Sequence, residues 1–195
     1  GELTAESDPQ RLFDELSERL KTEHLLFMQN LQSVSVQSVD LGLEERIDMA
    51  VQPSGEGERV RLADREWLRK TFSVLPPTGM ALDDGTAVTD PVPIVLARSE
   101  PAPTRSPVTA FFPTEMWHEY PWQFSGPFEV DQGRTALLQS QFNRWLLGEI
   151  GRRMVRAAVA EGVGDQRQPW DLLPLREDES PLVDLVREGA EQEML

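Results

Sequence analysis

The chain has 195 residues, 39% of them apolar, and 34 acidic against 19 basic side chains give a net charge of −15. That is enough for one packed domain, alone or with an appendage, while the charge repels nucleic-acid phosphates and anionic membranes unless a basic patch overrides the mean. The absence of cysteine excludes disulfides, thiolate zinc sites and cysteine nucleophiles.

Taken in chain order, the first signal is Asp8-Pro9, a capping residue followed by a proline suited to the first helical position. Leu12, Phe13, Leu16, Leu20, Phe27, Met28 and Leu31 continue at helical spacing and predict a helix over about 9–31. His24 lies near that stripe, where a hydrogen-bonded structural role outweighs a ligand role. The period then switches. Val34, Val36 and Val39 begin a strand, Leu41-Gly42 makes a turn, and Ile47, Met49 and Val51 alternate with polar residues in a second strand. Pro53–Gly57 reads as a turn before Val60 and Leu62, and residues 64–76 fit a short helix or an edge strand equally.

Seven prolines between 76 and 107 exclude a long helix there. Ile94–Ala97 and Val108–Phe112 read as buried strands, and Asp83-Asp84-Gly85 as a turn lacking the further oxygen ligands a divalent cation needs. Apolar spacing from Ala136 to Ala158 predicts a long helix over about 134–161, stopped by Gly162. Gly148 and Gly151 inside it point to close packing of another element. A polar linker follows, and Ser180-Pro181 opens a last helix over 182–194.

Motifs for chemistry are sparse. There is no phosphate-binding P-loop, and Gly162-Val163-Gly164 lacks the strand and third glycine of a dinucleotide site. There is no G-x-S-x-G elbow, and Glu115–Glu119 around His118 fails the H-E-x-x-H spacing. No apolar run spans a bilayer and no signal-peptide layout opens the chain, so a soluble cytoplasmic protein without membrane or nucleic-acid partners is expected. One stretch departs from the mean charge: Arg134, Arg144, Arg152, Arg153 and Arg156 against Glu149 give +4 over 134–156. Those arginines either pair with the acidic first helix and last segment or contact phosphate.

The centre of the chain carries a resemblance. Phe111-Phe112-Pro113-Thr114-Glu115, then Tyr120–Val130, then Arg134 and Asn143-Arg144-Trp145-Leu146-Leu147 are similar to sacsin-type, heat-shock-chaperone-like ATPases of the GHKL superfamily. Leu25–Leu31 entering a valine-rich strand resembles the helix-to-strand junction of that family. The likeness covers roughly residues 20–160, and the sequence departs from the pattern at Phe112, Trp122, Pro127 and Asp131-Gln132. The magnesium-holding asparagine helix, the D-x-G-x-G adenine site and the glycine-rich lid of such ATPases are not in this sequence. The resemblance therefore implies the transducer-like region that follows a nucleotide pocket, with ATP and magnesium supplied through a partner or missing domain.

On that resemblance Arg134 is the one candidate cofactor-binding residue, directed at a terminal phosphate; its alternative is a salt bridge fixing the loop to the long helix. Thr114 is expected to cap the segment after Pro113, and no residue is assigned a catalytic or metal-binding role. The expected fold is α+β: a mostly antiparallel sheet of about four to six strands packed against the long helix and the N-terminal helix. The expected organisation is a transducer-like domain over 1–164 and an acidic, partly helical appendage over 165–195. The expected function is non-catalytic coupling and contact with a protein partner or with an N-terminal ATPase domain of the same protein. A second expectation is a regulatory interaction module without a nucleotide link, using the acidic tail and an aromatic loop of Trp117, Tyr120 and Trp122.

Overall fold

The computed structural model describes residues 8–20, 23–28, 31–55, 57–62, 64–162, 169–178 and 180–195. Helix α1 (Pro9–Leu20) begins as expected, with the Asp8 carboxylate accepting from the Gln10 amide. It ends well before residue 31, and a short 3-10 helix covers Glu23–Phe27. The cause is tertiary: Leu25 and Leu26 are buried against the sheet, and the buried Arg69 guanidinium donates to the Leu26 carbonyl at 2.8 Å. The side chain of His24 lies outside the described set.

Eight strands follow: β1 (Ser33–Ser38), β2 (Leu43–Ser54), β3 (Gly57–Leu62), β4 (Arg65–Val74), β5 (Val92–Ser99), β6 (Ser106–Ala110), β7 (Phe112–His118) and β8 (Gln123–Ser125). They form one sheet in the order β1-β2-β3-β4-β5-β8-β6-β7. All neighbours are antiparallel except β6 and β8, which run parallel. The sheet is thus larger than the four to six strands expected. The ambiguous segment 64–76 is β4, a central strand, and the single run expected over 108–112 is divided at Phe111 into β6 and β7.

Alternation along β4 explains both the strand and the two cores. Leu68, Lys70, Phe72 and Val74 face one side, where Ile94, Leu96, Trp122 and Phe124 pack beneath helix α2 (Gln141–Gly162). Trp67 and Arg69 face the other, where Leu25, Leu26, Ile47, Met49, Val60 and Leu62 form a second cluster. Two buried cations on consecutive residues serve the two sides. Arg69 also bonds Glu58 at 2.8 Å, and Lys70 reaches Glu161 near the end of α2 at 3.0 Å. Each draws a flanking element onto the sheet, since an uncompensated buried charge is costly.

Helix α2 starts seven residues later than its apolar spacing suggests. Ser140 caps it, its hydroxyl accepting from the Asn143 amide at 3.2 Å. Beyond α2, a short 3-10 helix (Pro169–Leu172) and α3 (Leu185–Met194) complete the described chain. Leu182, Val183 and Val186 join the same buried cluster as α2, so the C-terminal segment contributes to the main core. Helix α3 crosses α2 where glycines remove side chains from the contact. A Cβ at Gly151 would collide with the Val186 carbonyl, and one at Gly189 with the Gly148 carbonyl. Arg152 bonds Gln192 and Arg156 bonds Glu193, while Arg152 and Arg153 share Glu149. Three of the five arginines thus serve helix packing, in part through the acidic last segment.

Candidate functional site at the Arg134 loop

The segment between β8 and α2 is tied down by its own polar groups. The Asp131 carboxylate accepts from the Thr135 amide (2.7 Å), the Thr135 hydroxyl (2.8 Å) and the Ala136 amide (3.2 Å). These bonds hold its carboxyl below the ordinary range, the Thr135 hydroxyl contributing most. The buried Asn143 clamps the other end: its side-chain amide donates to the Glu129 and Leu138 carbonyls while its oxygen accepts from the Glu129 amide. The Glu115 amide of β7 donates to the Thr135 carbonyl at 2.8 Å, so the loop also covers part of the sheet edge.

Arg134 sits at the tip of this clamp. It is exposed, adopts φ 57°, and donates its own amide to the Asp131 carbonyl. Its guanidinium lies 5.9 Å from the centre of the Phe112 ring, a cation–π distance. Arg134 makes no ion pair among the described residues, so the salt bridge to the long helix considered from sequence is not formed there. Phe111 and Phe112 meet edge to face at 4.9 Å and are 67% and 44% exposed. Phe111 has φ 64°, a left-handed conformation that a bulky side chain adopts at a cost. Two exposed rings and one exposed guanidinium therefore share one rim of the sheet.

Other sequence candidates fall elsewhere. Thr114 is buried in β7, where its hydroxyl accepts from the Met116 amide two residues on, as the capping expectation had it, and donates to the Val108 carbonyl of β6. The expected aromatic loop is divided, because Trp117 is 44% exposed while Tyr120 and Trp122 are buried. The Tyr120 hydroxyl donates to the Val183 carbonyl and the Trp122 indole N–H to the Leu172 carbonyl, so both pin the C-terminal segment. His118 lies in a strand, stacked between Tyr120 and Phe124. Asp84 caps a turn through the Thr86 amide. No cluster of three or more potential metal-ligating side chains occurs among the described residues.

A groove of about 770 Å³ lies between β4 and the end of α2. Its lining carries the cations Arg59, Arg65, Lys70 and Arg98, of which Arg59, Lys70 and Arg98 are paired with Glu66, Glu161 and Glu100. Sequence reasoning named Asp131, Asn143 and Phe111 only within the resemblance and gave them no role of their own. The first two had a signal in Asp131-x-x-Arg-Thr and Ser140-x-x-Asn143, spacings suited to a side-chain-closed turn and a helix cap. The left-handed Phe111 had none. As a class, the fold is α+β with an eight-stranded mixed sheet, and no described helix is long and apolar enough to cross a membrane. Comparison with family models, curated proteins and solved structures found no match.

Proposed function

We propose that the chain is a non-catalytic coupling and protein-contact domain of a chaperone-like GHKL ATPase, acting beside an ATP pocket supplied by a partner or by another domain of the same protein. In this reading Arg134 reaches a terminal phosphate and the Asp131–Asn143 clamp relays the contact to α2. One observation carries it: Arg134 is an exposed guanidinium without an ionic partner among the described residues, on a loop fixed at both ends. A side chain already anchored on an aromatic face loses little freedom on meeting an anion, and the planar fork suits phosphate.

Titration calorimetry of the chain with ATP–magnesium is expected to show no binding, and micromolar affinity would overturn the reading. In an assembly with the ATP-binding domain, Arg134→Ala is expected to lower turnover about 100-fold while ATP affinity changes little. Unchanged turnover excludes the phosphate contact.

A second reading, a protein-interaction module without a nucleotide link, is favoured by the exposed Phe111–Phe112 pair itself. The rim conformation can be checked independently. Phe111→Gly is expected to raise stability by about 1 kcal/mol, by relieving the left-handed φ, as read from the urea midpoint. A lower midpoint would show that the ring stabilises the rim more than its backbone strains it.

A further inference from the structure

With no cysteine in the chain, its readily oxidised sulfur lies in six methionines. Met49, Met80 and Met154 are buried, and Met194 is 41% exposed near the end of α3. Met116, half-buried in β7, is placed differently. Its Sδ accepts from the Leu137 amide at 3.2 Å, a bond to sulfur that no other methionine makes among the described residues. Residues 129–138 fold back on themselves around the Val130–Leu137 bridge. The Asp131 amide donates to the Ala136 carbonyl and the Leu138 amide to the Glu129 carbonyl, so the Leu137 N–H points away from its hairpin partner. On that outer side the Glu115 amide of β7 donates to the Thr135 carbonyl, which is half of a parallel ladder step. The other half is a bond from the Leu137 amide to the Glu115 carbonyl, but that amide goes to the Met116 sulfur instead. A thioether thus stands where a ladder carbonyl belongs. It holds Leu137, buried in the main core, against the sheet edge three residues from Arg134.

We infer that Met116 is an oxidation-sensitive latch for the Arg134 loop, closed by the thioether and opened when a peroxide converts it to the sulfoxide. In that step a sulfur lone pair takes one peroxide oxygen, the O–O bond breaks, and the second oxygen leaves as water with both protons. Sulfur is oxidised by two electrons and the peroxide is reduced by two. The product carries a polar oxygen on a side chain packed against the main core. That oxygen projects beyond the sulfur, so the Leu137 N–H and the oxidised side chain cannot both keep their places. A buried donor left without its acceptor drives the two apart. The Glu115–Thr135 bond then remains as the loop's described backbone tie to β7. Asp131 and Asn143 still close the loop internally, so it shifts as a unit and carries Arg134 with it. Methionine sulfoxide reductases restore the thioether and reclose the latch. The device is independent of what Arg134 contacts.

Dilute hydrogen peroxide, with site-by-site mass spectrometry and amide hydrogen exchange, tests the latch on the whole chain. Met194 is expected to oxidise first, and Met116 well before the buried Met80 and Met154. Once Met116 is converted, exchange at the Leu137 amide is expected to quicken about tenfold while the Ile150 amide within α2 keeps its rate. Enzymatic reduction of the sulfoxide is expected to restore the slow exchange. Met116→Leu, close in volume but unable to accept a hydrogen bond, is expected to show the fast Leu137 exchange without peroxide and no further response to it. Met194→Leu is expected to leave the peroxide response intact. Slow Leu137 exchange in Met116→Leu, or in protein whose Met116 is oxidised, overturns the proposal. So does a response lost in Met194→Leu, or an Ile150 amide that quickens as much as Leu137. If Met116→Leu fails to fold, the oxidised and re-reduced parent still decides.

Discussion

Between pH 7 and pH 5 the folded protein is expected to lose about 2 kcal/mol of stability through His118 alone. His118 is almost wholly buried, stacked between the rings of Tyr120 and Phe124 at 5.3 and 4.5 Å. Its Nδ1 already accepts from the Tyr120 amide, and burial lowers its pKa from 6.5 to about 3. In the unfolded chain the same group protonates near 6.5, so from there downwards the unfolded state binds the extra proton and the folded state does not. This contribution is intact above pH 6.5 and is eroded progressively as the pH falls towards 3. The carboxylates also titrate in acid, so the informative quantity is the difference between the protein and His118→Phe. The variant keeps the aromatic stack and loses one hydrogen bond, worth about 1 kcal/mol. Urea unfolding at pH 7 and pH 5 is expected to show the variant less stable at pH 7 and level with or above the parent at pH 5. Parallel pH dependence in both proteins would show that His118 is not buried neutral.

Gly151→Ala is expected to destabilise the protein by about 3 kcal/mol, whereas Gly148→Ala, one turn away, is neutral or stabilising by up to about 1 kcal/mol. Both glycines lie in α2, where alanine is the better helix former. The added Cβ at Gly148 meets nothing nearer than an Arg152 nitrogen at 4.0 Å, while that at Gly151 runs into the backbone of α3. Helix α3 cannot yield by a side-chain rotation, because the atoms struck are the Val186 carbonyl and the Ala190 amide nitrogen. The cost is therefore a displaced helix, with Val186 leaving the main core. Denaturant midpoints measure the two substitutions, and proteolysis at Arg187 reports whether α3 is released. Equal effects at 148 and 151 would show that the contact is not the determinant.

The same pair shows what could be read in advance. Two glycines in a helical run signalled a close neighbour, but only the crossing distinguishes which of them makes room for a carbonyl and which carries the carbonyl that excludes a Cβ at Gly189. The Asp8-Pro9 start and the Gly42 turn were also legible, being decided within a few residues. So was the alternation of Val60 and Leu62 with arginines, since a half-buried strand prints its period on the sequence. The β4 strand was not legible. Trp67 and Arg69 serve one core and Leu68, Lys70 and Phe72 the other, so burial on both faces erased the period.

By itself the sequence determined a cysteine-free, acidic chain of α+β type, with an arginine-rich helix between acidic flanks. Tertiary structure decided which charges were already spent. Arg152, Arg153 and Arg156 sit within bonding distance of Glu149 and α3, whereas Asp131 and Asn143 lock a loop on which the Arg134 guanidinium forms no ion pair among the described residues. The physical reason is range: composition fixes how many charges a chain carries, but an ion pair depends on a separation of a few ångströms that only packing sets.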